Sequence, residues 1–565
     1  MSPSSHRDWP VRFARLDTCV PRVAIPRPAD ARGCTPIPVN KAPLSAATAL
    51  LTTLALIAGC SSSKSDDKPT NESSLSDENP AVVAGVPLPD GSVDKAVGDL
   101  DGLVADVMGK SGIPGMAVAV VHGGKTVYAK GFGVKDVKGD DKVDPDTVFQ
   151  IASVSKSISA TVVAHEVTAG NVKWDTPVAE IMPSFTLGDP WVGSHATIGD
   201  FFSHRSGLPG AAGDILEDLG FDRRYILDHL RLLPLNPFRV TYAYANFGLT
   251  TGAEAVATKA KKEWADLAEE AIYKPLGLKS TSSRFADFEK EPNRATLHMR
   301  IDNKWVHDLV RDADQQSPAG GVSSNVNDLA KWLTMVLGKG TFEGKQIFSE
   351  EAFQPAITPQ VVSSRGKSPD ARSGFYGYGY NVGTTPAGRV ELSHSGGFVS
   401  GASTNILLIP SADVAIVALT NAAPTGVPEA VTQSFADIVQ YGKVKEDWVA
   451  LYEKAISPLL EPTGSLVGKP RPTDPAPAKP VADYVGTYAN DYFGPATISE
   501  KDGNLVLGLG PAGKTFPLTH WDGDTFTFTL VTENAPPGTI SKATFDGNRL
   551  NLEYYDSDKL GTFVR

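Results

Sequence analysis

One strand-to-helix junction constrains this chain more than any other stretch. Residues 147–151 form a strand-like run, and residues 154–169 form a helix-like run that stops at Gly170-Asn171. Ser153 and Lys156 lie where the helix begins, and side chains three residues apart share a helix face. A lysine amine beside a serine hydroxyl can take its proton and so activate a poor nucleophile. The junction therefore predicts a nucleophilic serine at a helix N-terminus.

The Ser-x-x-Lys pattern is weak evidence without this setting. Two of its matches lie in a polar tract, one lies in a Ser-Arg-Gly-Lys-Ser-Pro loop, and one follows Asp90-Gly91 with no strand before it. The five matches begin at Ser61, Ser65, Ser92, Ser153 and Ser364. The match at Ser153 is the one with a strand before it and a helix after it.

Composition restricts the function classes. The chain has 565 residues, too many for one average domain, and a net charge of −12 with no basic stripe, so nucleic-acid binding is not expected. His165-Glu166 suggests a zinc-protease helix, but position 169 is alanine where the second histidine would stand. The other histidines lack ligand spacing. The sequence therefore predicts no metal and no cofactor.

The N-terminal region carries an export signal. Residues 43–58 are apolar or small and follow Lys41; the run is too short to span a bilayer comfortably and suits a signal-peptide core. The run leads into Gly59-Cys60 and resembles the bacterial lipobox, in which the cysteine receives lipid. We expect export, lipidation of Cys60, and anchoring to a bacterial membrane on its periplasmic or cell-surface side.

Five segments follow from the composition along the chain. The order of strands and helices in the longest segment favours an α+β fold, with helices around an antiparallel sheet whose edge strands come from both ends of the segment. The last segment has short β-rich runs separated by Asp-Gly pairs, which predicts hairpins in a small antiparallel barrel or sandwich. The segments are an N-terminal extension with signal peptide (1–60), a disordered polar tether (61–92), the main domain (93–445), a helix with a Pro-rich linker (446–480), and the β-rich domain (481–565).

Two further constellations belong with Ser153 and Lys156. Tyr244-Ala245-Asn246 lies downstream, and His394-Ser395-Gly396-Gly397 ends a strand pattern. Each is weak alone, since Tyr-x-Asn also occurs at Tyr488-Ala489-Asn490, where we interpret it as structural. In this order and on plausible elements, the three together are much stronger evidence.

The trio resembles that of the class C β-lactamase-related serine hydrolases, a penicillin-recognising family that also holds DD-peptidases, D-amino-acid peptidases and amidases, and carboxylesterases. Residues 203–209 and 318–324 match its supporting stretches, and the resemblance covers about residues 95–445. It implies a β-lactamase/DD-peptidase-like antiparallel sheet flanked by helices. Residues 481–565 separately resemble the lipocalin-like C-terminal domain of such hydrolases, which implies a small antiparallel β-barrel.

The resemblance also implies roles for individual residues. Ser153 is the nucleophile, and either Lys156 or Tyr244 is its general base. Backbone N–H groups of Ser153 and Gly397 form the oxyanion hole. Asn246 hydrogen-bonds the acyl side of the substrate, and His394 orients Tyr244 or meets the substrate's polar end. The expected substrate-binding residues are Asn246, His394, Ser395 and Gly396.

The expected function is hydrolysis of esters or amides through a Ser153 acyl-enzyme. The third motif has His394 where true β-lactamases have lysine, and histidine supplies less certain positive charge at neutral pH. The sequence therefore favours an esterase, amidase or D-amino-acid peptidase over an efficient β-lactamase. The alternative is a catalytically weak penicillin-binding homologue that senses or scaffolds cell-wall peptides. Expected partners are a small-molecule or peptide acyl substrate and the lipid bilayer, reached through Cys60.

Overall fold

A computed structural model describes residues 84–302, 304–307 and 310–565. The predicted signal peptide, Cys60 and most of the polar tether lie outside the described residues. No helix within these ranges combines the length and apolarity needed to cross a bilayer. The helices are α1 Ser92–Ser111, α2 Ser155–Thr168, α3 Val178–Ile181, α4 Pro190–His195, α5 Ile198–Phe202, α6 Asp214–Asp218, α7 Arg223–His229, α8 Asn246–Ala260, α9 Trp264–Ala268, α10 Lys274–Leu276, α11 Phe285–Lys290, α12 Ser317–Gly320, α13 Val326–Leu337, α14 Glu350–Phe353, α15 Val427–Tyr441 and α16 Trp448–Ile456.

The main sheet has eight strands, all paired antiparallel, in the order β2-β1-β14-β13-β12-β11-β10-β9. This confirms the predicted antiparallel sheet flanked by helices. The strands of the main domain are β1 Gly115–His122, β2 Lys125–Gly133, β3 Phe149–Gln150, β4 Met299–Ile301, β5 Lys304–Val306, β6 Ser323–Ser324, β7 Thr341–Phe342, β8 Lys345–Gln346, β9 Val361–Ser364, β10 Gly374–Tyr376, β11 Asn381–Thr384, β12 Val390–Phe398, β13 Ala402–Ile409 and β14 Val414–Thr420.

The prediction that both edge strands come from the ends of the domain is wrong on one side. β2 is an edge strand, but the last strand, β14, pairs with β1 inside the sheet, and the other edge is β9. All of β14 and nearly all of β1 are buried, so both faces of these strands need cover. Strands that are apolar on both faces belong in the middle of a covered sheet, not at its edge.

Each face of the sheet is covered by its own helices. Alternate residues of β1 serve different cores: Ala117 and Ala119 face the side that holds α2 and α13, whereas Val118 and Val120 face α1 and α15. This is the period-two alternation of a strand. Eleven of the fourteen residues of α2 are buried, so this helix runs through the interior rather than over its surface. The buried helix positions the site.

Two predicted boundaries move in ways that bear on the site. The residue pattern predicts a helix over residues 252–271 and a strand over residues 378–382. The helix instead begins at Asn246, ends at Ala260 before the left-handed Lys261, and is followed by α9. The strand expected over residues 378–382 is a turn that leads into β11. Gly379 in this turn has a φ of 76°, and a Cβ there would lie 2.4 Å from the Lys156 carbonyl oxygen. Tertiary contact with α2 therefore decides this turn.

The β-rich region contains two antiparallel sheets rather than a closed barrel, which corrects the barrel prediction. Pro517 ends β18 and β19 begins two residues later in the other sheet; proline has no N–H with which to extend a ladder. The sheets have the orders β15-β16-β17-β18 and β19-β20-β21-β22-β23. Their strands are β15 Gly486–Tyr488, β16 Ala496–Lys501, β17 Asn504–Leu509, β18 Lys514–Pro517, β19 Thr519–Asp522, β20 Thr525–Thr529, β21 Ile540–Asp546, β22 Arg549–Leu552 and β23 Thr562–Val564.

The predicted Asp-Gly hairpins are confirmed. The three pairs stand where β16 turns into β17, β19 into β20, and β21 into β22, and each glycine has a positive φ: Gly503, Gly523 and Gly547. The Pro-rich stretch differs from a free spacer, because it packs along these strands. Thr463 and Ile540 form a backbone hydrogen bond of 3.0 Å, and Gly523 donates to the Ala476 carbonyl at 2.9 Å.

Candidate active site

Ser153 lies on a sharp turn between β3 and α2. Ala152 has a φ of 47°, in the left-handed region, and a 3₁₀ turn spans Ala152–Val154 before α2 begins. A left-handed alanine costs about 1–2 kcal/mol, so the surrounding structure holds this conformation in place. Ser153 is partly exposed, while Ala152 and Val154 are buried. The turn therefore presents one hydroxyl from an otherwise buried stretch.

Hydroxyl groups fix the start of α2. Ser155 Oγ accepts from the Val322 N–H at 3.0 Å, and Ser159 Oγ donates to the Pro318 carbonyl at 2.7 Å. The same segment forms β6, which pairs with β3. The predicted supporting stretch at residues 318–324 thus braces the helix that carries Ser153. Because each buried hydroxyl has a partner, the polar helix start tolerates burial.

Lys156 is fully buried and has three close polar neighbours. Its Nζ lies 3.0 Å from Ser153 Oγ, 2.7 Å from Asn246 Oδ1 and 2.8 Å from the Ala319 carbonyl oxygen. Burial lowers the pKa of Lys156 to about 7, opposed by the negative charge of Asp214. A neutral amine has two N–H groups and one lone pair. The two carbonyl oxygens take the N–H groups, which leaves the lone pair for the Ser153 hydroxyl.

Tyr244 packs beside Lys156, with the Lys156 Nζ 4.6 Å from its ring centroid. Burial raises the pKa of Tyr244 well above its usual value, and a hydrogen bond with Ser153 acts in the opposite direction. The phenol is therefore protonated at neutral pH. Its hydroxyl can pass a proton on, but it is a poor candidate for the base that starts the reaction.

His204 holds the segment that carries Tyr244. The Ala243 N–H donates to the His204 carbonyl at 2.9 Å, and the Ala245 N–H donates to His204 Nδ1 at 3.2 Å. The His204 and Tyr244 ring centroids are 4.4 Å apart. Burial holds the pKa of His204 well below its usual value, so the ring is neutral and Nδ1 is free to accept. His204 thus positions Tyr244 from the supporting stretch at residues 203–209.

Asn246 connects Lys156 to a carboxyl group that the sequence did not reveal. Its Nδ2 donates to Asp214 Oδ2 at 3.0 Å, so its Oδ1 must face Lys156. Burial raises the pKa of Asp214 to about 7, and the nearby Glu217 carboxylate acts in the same direction. Asp214 follows the left-handed Gly213 at the start of α6, a local signal that names a turn but no role.

His394 is buried, and both of its ring nitrogens have partners within the protein. Nδ1 lies 2.7 Å from the Ser395 carbonyl oxygen, which can only accept, so Nδ1 carries the proton and Nε2 accepts from the Tyr376 hydroxyl at 2.8 Å. Burial lowers the pKa of His394 to about 3, and Lys156 acts in the same direction. The His394 and Tyr244 ring centroids are 6.4 Å apart. His394 thus directs its nitrogens to Tyr376 and Ser395, not to Tyr244.

The third motif places its residues on two faces of β12. His394 and Gly396 share the face that packs on the Ser153 turn, where a Cβ at Gly396 would lie 2.3 Å from the Ile151 carbonyl oxygen and 3.0 Å from the Ser153 nitrogen. Ser395 points to the other face, where its Oγ accepts from Asn405 at 3.0 Å. Glycine at 396 therefore permits the close approach of strand and nucleophile. The substrate contacts expected of Ser395 and Gly396 stay predictions.

The edge of β12 beside the nucleophile is open. β11 pairs with β12 only from Val390 to Ser393, so the rest of β12 has no further strand on that side among the described residues. Gly397 lies on this stretch, next to Gly396, and is exposed. The oxyanion hole predicted from the Ser153 and Gly397 N–H groups would lie between this edge and the start of α2. Across the described ranges, no group of three or more His, Cys, Asp or Glu side chains could hold a metal ion.

Comparison with known families places these features in context. The profile of the Beta-lactamase family matches residues 100–439, and that of a domain of unknown function (DUF3471) matches residues 470–552. The unguisins hydrolase ungD' of Aspergillus campestris (strain IBT 28561) is 28% identical over 70% of this chain and 76% of its own. The D-alanyl-D-alanine-carboxypeptidase/endopeptidase AmpH of Escherichia coli (strain K12) is 22% identical over 56% of this chain and 81% of its own.

Two solved structures share the fold. An octameric penicillin-binding protein homologue from Pyrococcus abyssi has a TM-score of 0.54 at 19% identity and covers 83% of this chain and 100% of its own. A class C beta lactamase from Rhodobacter sphaeroides has a TM-score of 0.50 at 23% identity and covers 60% of this chain and 98% of its own. The first similarity extends beyond the main domain, whereas the second spans a length similar to it.

Proposed function

The chain belongs to the beta-lactamase family, and on that basis we propose that it is a serine acyl hydrolase with Ser153 as nucleophile. One observation carries the proposal. The buried Lys156 amine lies 3.0 Å from Ser153 Oγ, and two carbonyl oxygens at 2.7 and 2.8 Å direct its lone pair toward that hydroxyl. This is the geometry of an activated nucleophile.

Lys156 is the general base in this proposal. With a pKa of about 7, a large fraction of Lys156 is neutral at neutral pH, while burial holds the pKa of Tyr244 far above that range. An effective base has a pKa near the working pH. Lys156 therefore takes the Ser153 proton as Oγ attacks the acyl carbon. The Tyr244 hydroxyl, hydrogen-bonded to Ser153, relays this proton from Lys156 to the leaving group as the acyl bond breaks.

The acyl-enzyme then forms and is cleared by water. The N–H groups of Ser153 and Gly397 would stabilise the negative oxygen of the tetrahedral intermediate, helped by the N-terminus of α2. Expulsion of the alcohol or amine leaves an ester on Ser153 Oγ. Water attacks that ester and gives up a proton to Lys156. Lys156 passes this proton to Ser153 Oγ as the ester bond breaks, which releases the carboxylic acid and restores the free serine and the neutral amine.

Esters and uncharged amides fit the cleft better than substrates that need a cation at the third motif. His394 is neutral and both of its nitrogens are bonded within the protein, so it supplies no fixed positive charge. One relative is named as a hydrolase of unguisins and the other, AmpH, as a D-alanyl-D-alanine-carboxypeptidase/endopeptidase. These names support hydrolysis here, and they keep D-amino-acid peptides among the candidate substrates, together with short esters.

We also propose that the protein is exported and held at a bacterial membrane by lipid on Cys60, on the strength of residues 43–60 alone. Metabolic labelling with a fatty-acid analogue would test this. We expect incorporation in the parent chain and none in Cys60→Ala.

The catalytic proposal is tested with an active-site probe and a turnover panel on the full chain. The panel contains short-chain esters, a chromogenic cephalosporin, D-Ala-D-Ala peptides and D-amino-acid amides. We expect Ser153→Ala to abolish both fluorophosphonate labelling and turnover. Ser364→Ala, which alters another Ser-x-x-Lys match at the exposed end of the edge strand β9, is the matched control and should change neither. Labelling of Ser153→Ala at the parent level would exclude Ser153 as nucleophile.

A further inference from the structure

A loop of the β-rich domain reaches the end of the strand that carries the third motif. The loop joins β20 to β21, and Glu533 within it accepts three hydrogen bonds from the β12–β13 turn. They come from the Val399 N–H at 2.6 Å, the Ser400 N–H at 3.3 Å and the Ser400 hydroxyl at 2.9 Å. One carboxyl oxygen accepts from Val399 and the other from Ser400. The carboxylate thus fixes both consecutive N–H groups of the turn.

That turn begins two residues after Gly397. β12 ends at Phe398, and the Gly401 N–H closes the turn by donating to the Phe398 carbonyl at 2.9 Å. On its other side this part of β12 lacks a strand neighbour within the described ranges, so β13 and the turn set where the Gly397 N–H lies. A group that holds the turn therefore holds a predicted oxyanion donor.

The same loop is fixed to the opposite wall of the cleft. Thr532 Oγ1 and Asn534 Nδ2 both donate to Asp218 Oδ2, at 2.7 and 2.9 Å. Asp218 ends α6, the helix that begins with Asp214, the partner of Asn246. Three successive residues of the loop, 532–534, thus contact both sides of the cleft: the base side, where α6 carries the Asp214 partner of Asn246, and the strand side, where β12 ends.

Arg311 also connects the end of β12 to α6. Its guanidinium stacks on the Phe398 ring, with 5.3 Å to the centroid, and donates to Glu217 of α6 at 2.5 Å. Burial raises the pKa of Glu533 to about 7, and the positive charge of Arg311 acts in the opposite direction. The end of β12, α6 and the β-rich domain therefore share one network of charged groups.

We propose that Glu533 is a positioning residue for catalysis, and that the β-rich domain completes the active site by holding the β12–β13 turn so that the Gly397 N–H faces Ser153. The inference rests on the proposed acyl hydrolysis. It gives the β-rich domain a role with every substrate, since an oxyanion forms whatever the size of the acyl group. A domain that only capped the cleft would affect large substrates alone.

The test uses the full chain with p-nitrophenyl acetate, a substrate too small to touch a cap. We expect Glu533→Ala to lower kcat at least about 10-fold, part of the 10²–10³ that one oxyanion donor supplies, with KM changed less than about threefold. Fluorophosphonate labelling should slow in parallel. Glu533→Gln should recover part of kcat, because its amide oxygen can still accept from one of the two N–H groups.

Glu553→Ala is the matched control. Its carboxylate also accepts two backbone N–H groups, from Ser465 and Lys542, but within the β-rich domain and its preceding linker. It should lower the melting temperature about as much as Glu533→Ala while kcat stays within twofold of the parent.

The outcomes separate this inference from the proposed function. A parent chain that neither turns over esters nor takes the probe would overturn the proposed function. A parent chain that takes the probe, with Glu533→Ala labelled at the same rate and kcat unchanged, would overturn the positioning role alone. An equal fall in kcat for Glu533→Ala and Glu553→Ala would show that the loss of activity comes from lower stability, and would overturn the positioning role. If Glu533→Ala does not fold, Glu533→Gln decides: a parent-like kcat contradicts the role.

Discussion

The two walls around Ser153 are built in different ways. On one side, Lys156, Tyr244 and Asn246 are side chains that hydrogen-bond or pack on one another and belong to a stretch of fewer than one hundred residues. On the other side, the third motif offers backbone groups on an open strand edge, and the turn that ends the strand is held by Glu533 of another domain. In the proposed mechanism, proton transfer therefore depends on local burial, whereas oxyanion binding depends on the position of a strand.

The same physical cause has opposite consequences on the two walls. Burial lowers the pKa of Lys156 to about 7 and that of His394 to about 3. At neutral pH this makes a normally charged amine available as a base. The histidine, neutral and bonded to Tyr376 and the Ser395 carbonyl, is fixed in place. In the proposed mechanism, burial gives Lys156 its role as general base, whereas the buried His394 only hydrogen-bonds its neighbours.

The largest loss of activity is expected from a change at Lys156, on the wall formed by side chains. Lys156→Met fills the same apolar space without a proton acceptor, so kcat should fall about 10³-fold or more, within the range that general-base catalysis supplies. Steady-state turnover of a short ester measures it. Lys331→Met, which removes another lysine that donates to a carbonyl but lies outside the cleft, should leave kcat unchanged. Parent-like activity in Lys156→Met would transfer the role of base to another group.

A smaller loss of activity is expected from a change in β12, on the wall formed by backbone groups. In Gly396→Ala the new methyl would meet the Ile151 carbonyl oxygen and Thr404 Oγ1, each at 2.3 Å, so β12 must move away from Ser153. We expect kcat to fall about 10²-fold, the scale of one oxyanion donor, together with a lower melting temperature. Gly383→Ala in the neighbouring strand is the control, since its Cβ would meet nothing closer than 3.8 Å. Equal kcat in the two variants would show that the close approach is not needed.

The finest distinction is one of pH dependence. Lys156 acts when neutral, so kcat/KM should rise as the pH increases through about 7. The Asp214 charge raises the pKa of Lys156, so Asp214→Asn should favour the neutral amine and move this acid limb to lower pH. A pH profile of kcat/KM reports the free enzyme.

Asp437→Asn controls for the loss of a buried carboxylate on α15, away from the cleft, and should leave the acid limb in place. An unchanged limb in Asp214→Asn would show that Asp214 does not affect the base. A shift to higher pH would contradict the sign of the interaction.

Much of the local architecture follows from neighbouring residues alone. The strand-to-helix junction at Ser153 and the Asp-Gly hairpins were predictable, because periodicity and turn chemistry act within a few residues. The antiparallel character of the main sheet followed from the order of strands and helices along the segment. The first residue of α8 was misplaced by six positions. Glycines at 248 and 252 and threonines at 250 and 251 weaken its helical pattern, and packing against α5 overrides their low propensity.

The partners of the site were less predictable. Asp214, Arg311 and Glu533 lie far apart in sequence and match no motif, yet they meet around α6 and the β12–β13 turn. The barrel prediction failed for a related reason. Strand patterns show that hairpins form, but whether two sheets close depends on contacts between strands that no local pattern encodes.

The spacing of Ser153 and Lys156 already identifies which groups could react, since it puts an amine beside a hydroxyl on any helix that forms there. The ionisation state of these groups, in contrast, depends on residues that are distant in sequence. Whether Lys156 is a base depends on its complete removal from water and on the two carbonyl oxygens that orient it, which come from Asn246 and Ala319. Charge and proton position follow from the surroundings in three dimensions, because desolvation acts through space and not along the chain.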